Sequence, residues 1–180
     1  ELARRLWPNI EAALSYLKAN TTDDFLFYGK DNSKGDGKEP ALTNQAWKDS
    51  GDSVMHKDGK LATPPIAICE VQGYLYDAWQ SGANLAEKLD KVEEATSLRK
   101  RAKKLKEHFK RSFWLTEQNY VALAIDGTKE PCSVIASNPG HLLSSGIIDK
   151  EEAMAIAERL LKNDMFSGWG IRTLSSKEKA

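Results

Sequence analysis

Apolar residues recur at helical spacing in several stretches of the chain. Leu2, Leu6, Ile10, Leu14 and Leu17 stand three or four residues apart and predict a helix over 2–19. Pro8 suits a first helical turn, where its missing N–H has no partner to lose, so the ordered start is expected near Trp7. A second stripe, from Ile68 and Val71 through Leu75, Trp79 and Gly82 to Leu89, predicts a helix over 66–89 opened by Pro65. Leu98, Ala102, Leu105, Phe109 and Phe113 form the seam of a third, over 91–114. Asp149 caps a last clear helix with Ala153, Ile156, Ala157, Leu160 and Leu161 on its inner face. Between these, Ser137-Asn138-Pro139-Gly140-His141 leads into a short helix over 142–146. Residues 119–127 read as a brief strand ending in an Asp-Gly turn.

Long polar stretches interrupt the pattern before new helices start. The 20–43 connection contains a segment like a calcium loop at 31–42, but its sixth position is Asp36 rather than Gly and its twelfth is Leu42 rather than Glu. Residues 165–173 are rich in Gly and aromatics without any period. The fold class is therefore mainly α: antiparallel helical hairpins with long loops and a short strand or hairpin, in one domain over 1–180. Such hairpins stack into an open solenoid or close into a ring.

Composition narrows the partners. Lys+Arg and Asp+Glu are both 26, so the net charge is zero and nothing global points to nucleic acid or an anionic membrane. No apolar run approaches the ~20 residues needed to span a bilayer, and no secretory signal is visible. Cys69 and Cys132 form no CxxC pair, which favours a reducing cytoplasm over a disulfide scaffold. His56, His108 and His141 have no metal-ligand spacing, and His108 reads as exposed. No phosphate-binding loop, dinucleotide fingerprint or nucleophile elbow is present, so neither cofactor nor metal is expected. The 99–111 segment is strongly basic, yet Glu87, Asp90, Glu93 and Glu94 precede it, the order a helix dipole favours. It reads as a solvated face. A non-enzymatic α-hairpin module binding carbohydrate, protein or nucleic acid is the alternative reading.

The chemistry gathers in three places. Residues 44–53 put Trp47 beside Asp49 and Asp52, with Gln45, Ser50 and Ser53. A connecting turn needs Gly, Pro, Asn or Asp, but not a Trp flanked by acids. Glu70 and Tyr74 lie one helical turn apart on one face, with Gln72 near them. Trp169 and Arg172 sit in the Gly-rich segment. Aromatic faces suit the C–H surfaces of sugars, and Asp49, Asp52, Glu70, Gln72 and Arg172 suit their hydroxyls. An aromatic wall such as Trp47 would raise the pKa of a neighbouring acid by excluding water from it.

Taken together, 44–53, Glu70-Val71-Gln72-Gly73-Tyr74 and Asp164–Thr173, with Leu6–Leu14 and Ser137–His141, resemble the amylo-alpha-1,6-glucosidase, or glycogen-debranching-enzyme-like, glycoside hydrolases. These belong to the (α/α)6-toroid glycosidases, with trehalase-like and mannosylglycerate-hydrolase-like enzymes. The resemblance implies an inverting hydrolase of α-linked glucan or related oligosaccharides, in which one carboxylic acid protonates the leaving oxygen and a second activates water. It points to Asp49 as the acid, with Asp52 second. It implies substrate contacts at Gln45, Trp47, Glu70, Gln72, Tyr74, His141, Trp169 and Arg172. The water-activating base is expected beyond Ala180, making the chain part of a toroid, without turnover alone and open to self-association through an uncovered face.

Overall fold

The computed structural model describes residues 1–29 and 44–179; the 31–42 segment, superficially like a calcium loop, lies outside them. The first helix, α1, runs Leu2–Asn20. It starts well before Trp7, with Arg5 N–H donating to the Glu1 carbonyl at 3.1 Å, and carries Pro8 in its interior. Pro8 and Arg4 are both exposed, so water can take the Arg4 carbonyl that Pro8 cannot bond. Asp23 (φ 50°) and Asp24 (φ 65°) then turn the chain between β1 (Thr21–Thr22) and β2 (Phe25–Leu26). Two consecutive left-handed residues are what a two-residue type I′ hairpin turn requires.

The second helix starts later than Pro65. Ala67 and Ile68 form β3 and pair antiparallel with Ile125 and Ala124 of β6 (Ala124–Ile125), which satisfies their backbone outside any helix. α2 then spans Cys69–Lys88, and α3 spans Val92–Phe113. A short link makes them antiparallel neighbours. Asp90 sits at φ 61°, and its N–H and that of Lys91 reach back to the Glu87 and Ala86 carbonyls at 3.1 and 2.9 Å, closing the end of α2. Gly82 lets α1 and α3 approach α2: a Cβ there would stand 3.1 Å from Leu14 and 3.3 Å from Leu98.

After α3, β4 (Trp114–Leu115) pairs with β5 (Tyr120–Val121), so the expected strand at 119–127 is two short strands in different sheets. The short helix is a 3₁₀ helix, Asn138–Ser144. α4 spans Lys150–Leu160; Asp149 caps it as the sequence predicts, and the structure adds Glu152, which accepts the Asp149 N–H in return at 2.9 Å. The main core unites Leu14, Trp79, Leu98, Leu105, Phe109 and Phe113 with Leu142, Ile156 and Met165. A smaller core under β3 and β6 holds Ile66, Ile68, Leu123 and Val134. His108 is half-buried rather than exposed: it stacks on Phe25 with ring centroids 4.5 Å apart and faces Asp24 at 3.5 Å.

The smaller core is organised by Asp126. Its carboxylate, 2% exposed, accepts N–H bonds from Thr63, Thr128 and Glu130 and meets His56 Nε2 at 3.1 Å. Gly127 beside it leaves no space: a Cβ would lie 2.4 Å from the Pro64 carbonyl oxygen. Gly127→Ala must push backbone, so it should cost about 1–3 kcal/mol in urea unfolding. A loss below measurement error would show that the 63–65 and 126–128 segments separate freely.

Candidate functional site

The site is built on the first turn of α2. Glu70, 1% exposed, enters there because a helix N-terminus favours an anion. Its Oε1 accepts Nδ2 of Asn138 at 2.8 Å, and the Cys69 thiol points to Oε2 at 3.5 Å. Burial, then the Glu70 charge, pushes the Cys69 thiol well up, so it stays protonated. Burial and then Glu70 raise the Tyr28 phenol in the same way. Tyr28 donates to Asn44 Oδ1 at 3.2 Å, and Asn44 Nδ2 donates to the Ser50 carbonyl at 2.6 Å, so this buried amide shapes the 44–53 loop from beneath.

Lys48 closes the loop onto the rest of the protein. Its Nζ donates to Asn138 Oδ1 at 2.6 Å, to Ser137 Oγ at 3.2 Å and to the Thr173 carbonyl at 2.9 Å. Ser53 Oγ donates to the Lys48 carbonyl at 2.6 Å, folding the loop back on itself. Burial lowers the Lys48 pKa, with Glu70 opposing that shift.

Above this polar floor lies an aromatic rim. The Trp47 ring is 5.8 Å from His141, the Tyr74 ring is 6.1 Å from it on edge, and Tyr74 Oη is 3.0 Å from His141 Nδ1. Trp47 is 57% and Tyr74 50% exposed, so both rings present apolar surface to solvent. The Gly-rich segment forms a hairpin in which Phe166 faces Ile171 and Ser167 N–H donates to the Gly170 carbonyl at 2.9 Å. Gly168 at φ 93° makes the turn, and Trp169 stands 99% exposed at its tip. Arg172 is exposed and immediately precedes Thr173, which Lys48 holds.

Trp47, Tyr74, His141 and Glu70 thus come together, and the Arg172 segment meets the Trp47–Asp49 segment. Three expected details differ. Gln72 is fully buried and does not face the rim; it bonds the Leu26 N–H and carbonyl, both at 2.9 Å, and latches the β1–β2 hairpin to α2. Glu70 is buried and occupied by Asn138 instead of open to a ligand. Asp49 is not shielded by Trp47: Asp49, Asp52 and Gln45 are exposed, and no hydrogen bond or ion pair joins either carboxylate to another described residue. Lys48, Asn44, Asn138 and Tyr28 were missed as a network. A lone Lys between Trp and Asp carries no local signal, because its partners lie 89–125 residues away.

Elsewhere the chemistry is structural. Cys132 lies 3.9 Å from His56, but burial, then Asp126, pushes its thiol up to about 12, far from a nucleophile. No group of three or more His, Cys, Asp or Glu among the described residues can hold a metal. Part of the basic face of α3 is paired: Arg99 with Glu87, Lys103 with Glu107, Lys106 and Lys110 with Asp149, and Lys110 also with Glu152. No helix among the described residues is long and apolar enough to cross a membrane.

A family model described as amylo-alpha-1,6-glucosidase matches residues 1–180. No curated protein matches the chain significantly. Among solved structures, neutral trehalase Nth1 from Saccharomyces cerevisiae is similar with a TM-score of 0.56 at 17% identity. The match covers 64% of this chain and 22% of that chain, so the matched part spans about a fifth of the trehalase. At that identity the likeness speaks for fold: the helical hairpins are part of an (α/α)6-type toroid, as the sequence resemblance implies.

Proposed function

We propose, since the chain belongs to the amylo-alpha-1,6-glucosidase family, that it forms part of an inverting glycoside hydrolase site for α-linked glucan of the glycogen-debranching type. The observation that carries this reading is the convergence of Trp47, Tyr74 and His141 over the buried Glu70–Asn138–Lys48 chain. Two half-exposed rings and an imidazole suit a pyranose, whose C–H faces stack and whose hydroxyls take directed hydrogen bonds. Arg172, Trp169 and Gln45, all exposed, are proposed as further sugar contacts. Asp49 is the proposed proton donor and Asp52 the second choice. A sugar seated on Trp47 would remove water from Asp49, which supplies on binding the desolvation that the free loop lacks. Glu70 and Gln72 hold the site together from below.

Calorimetric titration with malto- and isomalto-oligosaccharides tests this. Binding is expected, and Trp47→Ala should weaken it about tenfold, the loss of roughly 60 Å² of apolar burial. Failure of every α-linked oligosaccharide to bind, or unchanged affinity in Trp47→Ala, would sink the proposal.

A further inference from the structure

Asn138 is fully buried and has a charge at each end of its amide. Its N–H side faces the Glu70 carboxylate at 2.8 Å, and its carbonyl faces the Lys48 ammonium at 2.6 Å. An anion at the donor end and a cation at the acceptor end polarise the amide in the same direction, so each bond strengthens the other. Glu70 is 1% exposed, and no Lys, Arg or His forms an ion pair with it among the described residues. An isolated buried carboxylate is costly, and Lys48 is the cation that reaches it through the amide. The same ammonium bonds Ser137 and Thr173, so one side chain joins three segments: the 44–53 loop, the start of the 3₁₀ helix and the segment after the Trp169 hairpin.

We propose that Lys48 is the positioning residue of this site: its ammonium fixes the Trp47–Asp49 segment against Ser137, Asn138 and Thr173, and its charge is matched by Glu70 across the Asn138 amide. That what is positioned is a sugar site rests on the proposed function; the latch itself does not. Lys48 touches no substrate in this scheme. It acts by holding Trp47 over His141 and by keeping Arg172 beside the loop.

Hydrogen exchange read by mass spectrometry tests the latch without any ligand. In Lys48→Met, amides of 45–53 should exchange on the order of tenfold faster, while α2 and α3 stay as in the wild type. Lys48→Arg, which keeps charge and donors, should retain most of the protection. The charge match is tested by a cycle with Glu70→Gln in urea. Each single change should raise the unfolding constant, and the double variant should fall short of their product by on the order of tenfold. Should Lys48→Met not fold, Lys48→Gln removes the charge while keeping N–H donors and runs the same comparison. Unchanged loop exchange, or strictly multiplicative effects in the cycle, would overturn the inference. If the loop loosens as expected while the wild type binds no oligosaccharide, the latch stands and the sugar reading fails. If the wild type binds oligosaccharide and Lys48→Met binds it equally with an unchanged loop, the latch fails and the sugar reading stands.

Discussion

Asp164→Ala lowers the free energy of unfolding by about 3–5 kcal/mol, the cost of breaking a buried ion pair from one side. Asp164 is 8% exposed and takes two hydrogen bonds from Arg159, at 3.1 and 2.7 Å, and one from the Ser175 hydroxyl. Its backbone carbonyl accepts Ser176 N–H at 3.0 Å. This residue therefore ties the end of α4 to the chain on both sides of the Trp169 hairpin. Without the carboxylate, the Arg159 guanidinium, whose side chain is only 16% exposed, keeps its burial and loses its partner. Urea unfolding followed by circular dichroism measures the loss. A second consequence reaches the site. The Ser175 hydroxyl loses its acceptor, so the Thr173–Lys48 contact should loosen and, under the proposed function, oligosaccharide affinity should fall along with stability. A loss under about 1 kcal/mol would mean that the pair contributes no more than a surface salt bridge.

The second large effect is on stability against acid. Burial would raise the Asp126 carboxyl, but hydrogen bonds from Thr128, Thr63 and His56 together outweigh it and hold the pKa at about 2. The Arg159 guanidinium first, then Ser175, keeps the Asp164 carboxyl well below the usual range. Both folded values lie below the unfolded ones, so the unfolded chain binds more protons in acid. The stabilisation is fully present above about pH 5 and is lost as the pH falls through 4 toward 2. Asp126 alone accounts for about 2 kcal/mol of it. Urea midpoints should be nearly flat from pH 8 to 5 and drop steeply below 4. Asp126→Asn should be weaker than the wild type at pH 7 and approach it near pH 2.5. Parallel pH curves for variant and wild type would show that Asp126 does not titrate as proposed.

Gly127→Ala and Trp47→Ala probe the same architecture more locally. The first tests how closely the 63–65 segment sits on the β6 turn, where a Cβ would meet the Pro64 carbonyl oxygen at 2.4 Å. The second tests the rim that this packing supports from below, since β3 leads directly into the turn of α2 that carries Glu70.

Much of this protein is written locally in the chain. The seams of α2, α3 and α4 are periodic enough to place each helix within a few residues, and the Asp149–Glu152 cap is a local code. The motifs at 44–53, 70–74 and 164–173 carry the family, which the match over 1–180 bears out. Where local rules misplaced an element, a distant partner had won. Pro65 does not open α2 because Ala67 and Ile68 find Ile125 and Ala124. Pro8 does not start α1 because the helix can lose one exposed hydrogen bond. Gln72 carries the motif but turns inward, because the Leu26 backbone offers it both a donor and an acceptor. The site depends most on what the sequence leaves open. Residue types at 47–49 suggest sugar chemistry, but their placement is decided by Lys48 meeting Asn138 and Thr173, and by Asn138 meeting Glu70. Helix periodicity and caps involve neighbours within a turn, so the sequence determines them alone. Buried charge must be matched by whatever the folded chain brings near, and only the tertiary structure decides that.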